Sequence, residues 1–371
     1  MGRPFGHNGH GKSGLVEKEG ILWHPAGNGR IVCDACNRRC SIPEGSHGFC
    51  YVRKNVGGRL YLSVYGKLAA MQIDPIEKKP FNHFYPGTHV FTVGTISCNW
   101  HCLFCQNHAI SKETDEYGED VPPQDVPRLA AENDCEGVGF SYNEPTIFVE
   151  YVIDAAREAH RMGKYTVFVT NGYGTVESVR AIKGYVDAVV VDYKGSGEEL
   201  FQKRQTMTLS AEPIKQTLLE LKAQKIHTEL TDLIIPQVGA DLDEARKLCD
   251  WLYDNLGPDV PIQFTRFHPD YKMLDVPSTP YELLVRHHEV ATKAGLNYAY
   301  IGNVPGSPQE HTYCPGCRGV AIERHGFMIT GWNLDADYRC RTCGHKIPIE
   351  GKRAERFRYR GIESFYIPNP Q

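Results

Sequence analysis

The sequence has no long apolar run, little net charge and no cysteine pattern typical of an exported protein. No apolar stretch approaches the ~20 residues of a membrane-spanning helix, so we expect no membrane partner. The Gly/His-rich residues 1–14 contain no apolar segment and do not predict a signal peptide. A formal net charge of −4 over 371 residues gives no global reason to expect nucleic-acid binding.

Cysteine, in contrast, is abundant. Thirteen cysteines without an export signal predict metal binding in a reducing cytoplasm rather than disulfides. Eleven of them form three tight groups: Cys33, Cys36, Cys40 and Cys50; Cys98, Cys102 and Cys105; and Cys314, Cys317, Cys340 and Cys343. The remaining two, Cys135 and Cys249, are expected to be small buried hydrophobic residues.

The central group has the spacing C-x3-C-x2-C, with Phe104 directly before the last thiol. Three thiolates in so short a loop can hold three corners of a cubane [4Fe–4S] cluster, which leaves the fourth iron without a protein ligand. Clusters that only transfer electrons are normally closed by four cysteines, so an open iron indicates a site for a substrate or cofactor. The alternative is a zinc site completed by His101 or His108.

Between Val90 and Asn303, short β-branched runs alternate with longer amphipathic ones. Helices are predicted near residues 147–160 and 281–295. Apolar strands that alternate with helices predict a buried parallel sheet, and six or seven such units suit an α/β fold with a full or partial (β/α) barrel. The predicted strands begin at Val90, Gly137, Tyr165, Ala188, His227, Ile262 and Tyr298.

Small Cys-rich modules are expected at both ends of this core. The predicted boundaries are a disordered tail at 1–30, a metal module at 31–60, the core at 61–305, a zinc ribbon at 306–350 and a basic tail at 351–371. The first module has too little apolar material for a core, so a metal would supply its folding energy. The tail interleaves basic and aromatic residues over 352–360 and is interpreted as solvated, with a nucleic-acid or acidic-partner contact as the alternative.

Polar residues follow several of the predicted strands. Individually they have ordinary explanations: Asn143 suits an N-cap, Asn171-Gly172 a turn, and Asp192 with Lys194 a surface ion pair. Because ligand-binding residues of βα-barrels collect at the carboxyl ends of the strands, together they predict a pocket beside the open iron.

The motifs occur in an order that resembles the AmmeMemoRadiSam-system radical S-adenosylmethionine (SAM) enzymes, relatives of the pyruvate formate-lyase activating enzymes. The resemblance covers roughly residues 30–320 and is more specific than any single motif. The segments are Asp74–Gly87 (DPIEKKPFNHFYPG), Cys98–Asn107 (CNWHCLFCQN), Tyr142–Ile147 (YNEPTI), Thr170–Tyr173 (TNGY), Asp192–Lys194 (DYK), Arg266–Lys272 (RFHPDYK) and Tyr300–Val304 (YIGNV).

The resemblance implies a radical SAM enzyme with a [4Fe–4S] cluster on Cys98, Cys102 and Cys105. A reductant such as flavodoxin or ferredoxin would reduce the cluster, SAM would be cleaved to a 5′-deoxyadenosyl radical, and that radical would take hydrogen from an unidentified substrate. The substrate is either a partner protein that receives a glycyl radical or a small molecule, handled with MEMO-like and AMMECR-like proteins. A contrasting hypothesis is a non-catalytic multi-zinc module that binds RNA or protein.

Individual roles also follow from the resemblance. Phe104 would contact the adenine. Asn143 and Glu144 belong to the segment that corresponds to a Gly-Gly-Glu motif, whose Glu accepts a hydrogen bond from the SAM amino group. The remaining residues of the implied cofactor site are Thr170, Asn171 and Gly172 near the ribose and methionine portions, Asp192 and Lys194 at the SAM carboxylate, and His268 near the adenosyl group.

The flanking cysteine groups predict two further metal sites. The spacing C-x2-C-x3-C-x9-C of the first group suits either structural zinc, which we favour at this point, or an auxiliary iron–sulfur cluster. The last group, C-x2-C-x22-C-x2-C, predicts a zinc ribbon. The charged segment 74–80 is expected to border the active site, without an assigned role.

Overall fold

The computed structural model describes residues 18–357 and 363–366. The strands, in chain order, are β1 (Lys18–Glu19), β2 (Trp23–Pro25), β3 (Ile31–Cys33), β4 (Ser41–Ile42), β5 (Arg53–Val56), β6 (Arg59–Leu62), β7 (Lys67–Leu68), β8 (Ala70–Pro75), β9 (His89–Gly94), β10 (Glu119–Asp120), β11 (Gly137–Phe140), β12 (Tyr165–Thr170), β13 (Ala188–Asp192), β14 (His227–Ile234), β15 (Ile262–Arg266), β16 (Ala299–Gly302), β17 (Thr312–Tyr313), β18 (Val320–His325), β19 (Met328–Trp332) and β20 (Glu363–Tyr366).

The α-helices are α1 (His108–Ser111), α2 (Asp125–Glu132), α3 (Val149–Arg161), α4 (Val176–Ile182), α5 (Glu199–Phe201), α6 (Glu212–Ala223), α7 (Leu242–Leu256) and α8 (Tyr281–Lys293). In the described ranges, no helix is long and apolar enough to cross a membrane.

A nine-stranded sheet forms the centre of the molecule, in the order β16-β15-β14-β13-β12-β11-β9-β8-β20. The seven strands from β9 to β16 in this order are mutually parallel, whereas β8 and β20 are antiparallel additions at one edge. Each predicted strand of the core corresponds to one of these seven, so the α/β prediction is confirmed. Because β16 and β20 stand at opposite edges, the sheet is a partial rather than a full barrel.

Burial explains why these segments form parallel strands. Every residue of β9 and β11 is buried, as expected for strands that are covered on both faces. The intervening helices begin at local signals, for example Asp241, whose carboxylate accepts hydrogen bonds from the amides of Asp243 and Glu244 ahead of α7.

The N-terminal module consists of two small sheets, β1-β6-β5 and β2-β3-β4. It is fixed to the core by Arg53, which is 1% exposed and forms a bidentate ion pair with Glu150 of α3 at 2.8 and 2.9 Å. The prediction of disorder over 1–30 is wrong for residues 18–30, because β1 pairs with β6 and β2 with β3. Residues 1–17 lie outside the described residues.

The C-terminal module contains the sheet β17-β18-β19 and its own apolar cluster. The segment after it is not simply solvated, because the Ala354 amide donates to the Pro86 carbonyl at 2.9 Å and the Arg353 guanidinium lies 5.3 Å from the Trp332 ring centroid. Beyond it, β20 pairs with β8. The other residues of the predicted basic tail, 358–362 and 367–371, lie outside the described residues.

Candidate functional site

A cavity of about 600 Å³ opens at the carboxyl ends of the parallel strands. The loops after β9, β11, β12, β13 and β16 all contribute to its wall. The topology explains this convergence, because the carboxyl ends of parallel strands meet at one edge of a sheet.

The three thiols of the central group line this cavity, and Cys98 and Cys102 are buried. The Trp100 amide lies 3.5 Å from the Cys98 sulfur, and the Ser111 hydroxyl lies 3.1 Å from the Cys105 sulfur. No single-ion site forms here: within the described residues, only the C-terminal cysteines bring three or more potential metal ligands within 4.8 Å of one another.

The histidines of the zinc alternative are engaged elsewhere. The His108 imidazole faces Asp270 at 3.3 Å and stacks on Tyr271, and the His101 ring lies 4.5 Å from Phe49. The structure therefore provides no fourth ligand for zinc in this loop among the residues that it describes.

Most of the residues implied by the resemblance reach the cavity. Gly172 and His268 do not line it: Gly172 forms the turn after β12, and His268 is exposed, with its ring bonded to the Pro269 carbonyl at 2.8 Å. The lining residues from that set are Phe104, Asn143, Glu144, Thr170, Asn171, Asp192 and Lys194.

Four of the loops that follow the parallel strands have, near their start, a non-glycine residue with a positive φ. These residues are Ser97, Tyr142, Lys194 and Asn303, with φ of +66°, +73°, +60° and +61°. Such conformations are costly outside glycine and collect at functional sites. The Tyr142 backbone thus takes the glycine-like conformation that its motif position requires, although its side chain is large.

The protein itself occupies most of the acceptor capacity of Glu144, with three hydrogen bonds on Oε1 and one on Oε2. Its carboxylate accepts hydrogen bonds from the Thr146 amide at 3.1 Å and hydroxyl at 2.5 Å, the Thr170 hydroxyl at 2.8 Å and the Asn171 amide at 2.8 Å. A carboxylate offers about four lone-pair sites. Burial raises the pKa of Glu144, and these hydrogen bonds oppose that rise. The residue therefore joins the loops after β11 and β12.

The free acceptor beside it belongs to Asn143. Its amide nitrogen donates to the carbonyls of Ile96 and Ser97 at 3.2 and 3.0 Å. Its buried side-chain oxygen has no hydrogen-bond partner among the described residues. This oxygen packs against Gly94, where a Cβ would lie 3.2 Å from it, so it is an unsatisfied acceptor just behind the cavity wall.

A cation and an anion meet at the end of β13. The Lys194 ammonium pairs with Asp192, whose other oxygen accepts from the Thr231 hydroxyl at 3.1 Å. Burial acts to lower the pKa of Lys194, but Asp192 and the Cys102 thiolate raise it overall. The same ammonium lies 5.8 Å from the centre of the Phe104 ring. A zwitterionic ligand finds both charge signs here.

Segment 74–80 forms the wall opposite the cysteine loop. Asp74, fully buried, pairs with Lys79 at 2.7 Å and accepts from the Tyr142 hydroxyl at 2.6 Å. The Lys79 ammonium lies 4.1 Å from the centre of the Tyr142 ring, and burial lowers its pKa to about 8 even though Asp74 opposes the shift. This network holds Tyr142 and brings a buried lysine to the cavity.

A second cavity of about 340 Å³ shares the residues Glu77, Gln263, Asn303 and Phe327 with the first. One carboxylate oxygen of Glu77 accepts from the Gly87 amide at 2.7 Å, and the other has no partner among the described residues. Burial raises the pKa of Glu77 to about 7. Sequence reasoning missed this chamber, because Phe327 comes from the β18–β19 turn of the C-terminal module.

The flanking cysteine groups differ in geometry. In the C-terminal group, the sulfurs of Cys314 and Cys343 are 3.5 Å apart and those of Cys317 and Cys340 are 3.8 Å apart. The four thiols fit one metal ion. The N-terminal thiols line a separate small cavity beside Asn99. Both lone cysteines, Cys135 and Cys249, are buried as expected.

Comparisons with known proteins agree with this geometry. The family model of the radical SAM superfamily matches residues 92–252. The uncharacterized protein MJ0808 of Methanocaldococcus jannaschii is 40% identical over 335 residues, which are 90% of this chain and 99% of the relative. A second uncharacterized protein of that organism, MJ0674, is 24% identical over 72% of this chain and 76% of its own.

Solved structures match parts of this chain at lower similarity. A domain of a pyruvate-formate lyase-activating enzyme from Bacteroides vulgatus has a TM-score of 0.39 and 19% identity, covering 45% of this chain and 99% of its own. A radical SAM methyltransferase from Sphaerobacter thermophilus has a TM-score of 0.46 and 14% identity, covering 61% and 71%. Residues 92–252 of this chain, which include Cys98, Cys102 and Cys105, are therefore a radical SAM domain.

Proposed function

We propose that this chain is a radical SAM enzyme that holds a [4Fe–4S] cluster on Cys98, Cys102 and Cys105. The observation that carries the proposal is that these thiols open into the same cavity as the charged and polar strand ends. With cluster and SAM bound, one-electron reduction would cleave the S–C5′ bond and give a radical that abstracts hydrogen. The electron donor would be a flavodoxin or ferredoxin.

The loop fits a cubane rather than one ion. The thiols are buried or half-buried beside donors at Trp100 and Ser111, and they are spaced more widely than ligands of a single ion. Hydrogen bonds to the sulfurs are a recognised means of tuning cluster potentials.

For the methionine end of SAM, we assign Asn143 to the wall beside the amino group. The Glu144 carboxylate already accepts four hydrogen bonds, whereas the Asn143 oxygen is buried beside Gly94 and unpaired among the described residues. In this proposal the Asn143 side chain turns toward the cavity when SAM binds, so that its oxygen accepts from the ammonium. Glu144 is a positioning residue in this proposal, and Lys194 pairs with the carboxylate.

For the adenosyl end, Phe104 supplies an apolar face and Thr170 with Asn171 the neighbouring polar wall. Gly172 contributes through backbone shape, because a Cβ there would lie 2.6 Å from the Ile214 side chain. His268 has no direct role in this assignment, since it does not line the cavity.

The second chamber favours a small polar substrate over a partner glycine. It adjoins the cavity proposed for SAM and is lined by Glu77 and Gln263. Each of these residues has a buried side-chain oxygen without a hydrogen-bond partner in the described part of the chain. We place the enzyme in the AmmeMemoRadiSam system on the order of its motifs, with MEMO-like and AMMECR-like proteins as partners. The C-terminal cysteines would hold structural zinc.

The test is anaerobic reconstitution followed by addition of dithionite and SAM. The wild-type chain should release 5′-deoxyadenosine, the Cys102→Ala variant should not, and the matched Cys249→Ala variant should retain the activity. An absence of 5′-deoxyadenosine from fully iron-loaded wild type would refute the proposal.

The substrate class has a separate test. Deuterium transferred into 5′-deoxyadenosine from a labelled small-molecule extract would support the second-chamber assignment. Transfer from a labelled partner glycine would instead establish the glycyl-radical function.

A further inference from the structure

The N-terminal thiols face one shared interior space. Cys33, Cys36, Cys40 and Cys50 all line a single small cavity, and all but Cys40 are buried. None of them forms a disulfide.

The spacing of the thiols argues against a single zinc ion. Four sulfurs about 2.3 Å from one tetrahedral zinc lie about 3.8 Å from one another. The C-terminal group meets this spacing, with sulfur pairs at 3.5 and 3.8 Å. All four N-terminal thiols lie in the described part of the chain, yet no three of their sulfurs lie within 4.8 Å of one another. The same is true of the sulfurs of Cys98, Cys102 and Cys105.

A polynuclear cluster explains this spacing. In a cubane each thiolate binds a different iron, so the sulfurs lie farther apart than around one ion. The Phe49 amide donates a hydrogen bond to the Cys40 sulfur at 3.4 Å. This contact is the kind of hydrogen bond to sulfur that iron–sulfur sites use.

The N-terminal group also adjoins the Cys98 loop. The Arg38 Nε donates to the carbonyl of Asn99, the residue after Cys98, at 2.5 Å. The Asn99 side chain lines the N-terminal cavity and accepts from Asn171 at 2.7 Å. The Arg38 guanidinium lies 3.5 Å from the centre of the Phe49 ring, which contacts His101. The two cysteine groups are therefore connected by a short run of packed and hydrogen-bonded residues.

We propose that Cys33, Cys36, Cys40 and Cys50 hold a second [4Fe–4S] cluster, not zinc, and that this cluster delivers electrons to the Cys98 loop. Four thiolates close every iron, so this cluster has no open position for SAM or substrate and serves electron transfer. One electron passes from a flavodoxin or ferredoxin to the second cluster and from there to the first. The delivery step rests on the proposed function, whereas the identity of the metal does not.

Metal analysis of anaerobically prepared full-length protein tests the identity. We expect about eight irons and about one zinc per chain in the wild type, and about four irons in the Cys98→Ala/Cys102→Ala/Cys105→Ala variant. The Cys36→Ser/Cys40→Ser variant should also retain about four irons, and Cys249→Ala all of them. About four irons and two zincs in the wild type would overturn the second cluster. If only the Cys98 loop fails to bind a cluster, the triple variant and the wild type will contain the same amount of iron. This outcome distinguishes a failure of the proposed function from a failure of the second cluster.

Electron paramagnetic resonance tests delivery without relying on turnover. In the triple variant, reduced flavodoxin should generate the signal of a reduced cluster. In the Cys36→Ser/Cys40→Ser variant, dithionite should still reduce the remaining cluster, whereas flavodoxin should reduce it more slowly than in the wild type. Equal rates of reduction by flavodoxin in the two proteins would exclude the delivery role.

Discussion

Replacing Glu150 by Gln should loosen the N-terminal module from the core. Glu150 and Arg53 have side chains 1% and 2% exposed and form two hydrogen bonds, and Glu150 also accepts from the Ile21 amide at 2.9 Å. The substitution keeps the shape but leaves the Arg53 charge without its counterion. Arg53 keeps its charge in the variant, because a guanidinium is not deprotonated in proteins.

Breaking one side of a buried ion pair typically costs ~3–5 kcal/mol. At about 1.4 kcal/mol for each factor of ten, the opening equilibrium constant of the module should rise by roughly two to four powers of ten. The matched control is Glu19→Gln, which removes an ion pair on the same module, to Arg59 at 3.3 Å, whose side chains are 39% and 60% exposed. Exposed pairs contribute ~0–1 kcal/mol.

Native-state hydrogen exchange is the appropriate assay, because it reports local opening rather than global unfolding. The amides of β5 and β6 should exchange much faster in Glu150→Gln than in Glu19→Gln, while those of the central parallel strands should change little. Equal protection of β5 and β6 in the two variants would show that the buried pair does not hold the module, and the reasoning would fail.

Three further outcomes are expected. Burial raises the pKa of Glu77 to about 7. The native state therefore binds one more proton than the unfolded state between about pH 4.5 and 7, and it loses stability as the pH rises through that window. Glu77→Gln should raise the melting temperature at pH 8 and leave it unchanged at pH 4. Glu144→Gln places an amide N–H2 against the donors from Thr146, Thr170 or Asn171 and should weaken SAM binding, measured by equilibrium dialysis, by ~1–3 kcal/mol. Cys340→Ser should release zinc and accelerate exchange in β17–β19 but not in the central sheet.

The core and most of the rim could be predicted from sequence because their signals are local. Buried β-branched runs identify the strands, and chain order then places residues such as Thr170 and Asp192 at the carboxyl ends of adjacent strands. Because these strand ends border the cavity, the topology also predicts that the two residues line it. His268 shows the limit of this argument, since a residue that follows a strand can still turn away from the cavity.

The remaining parts depend on contacts between distant segments. The interaction of Asp74 with Tyr142 joins residues 68 positions apart, and the Arg53–Glu150 pair spans 97. The sequence around these charged residues does not indicate which distant residue each of them contacts. Likewise, the ligand spacing of a cysteine motif does not reveal how far apart the sulfurs lie in space, and it is this distance that separates one ion from a cluster.

The boundary predicted at residue 305 divides what is physically one site. The second chamber is built from β16 and Asn303 on one side and from the β18–β19 hairpin on the other. Arg324 of that hairpin is buried, donates to the Asn82 carbonyl at 2.9 Å and lies in the same chamber as Glu77. A metal in the C-terminal module would therefore set the position of a cavity wall, because the cysteines and the hairpin share one apolar cluster. The module therefore contributes to the shape of the second chamber.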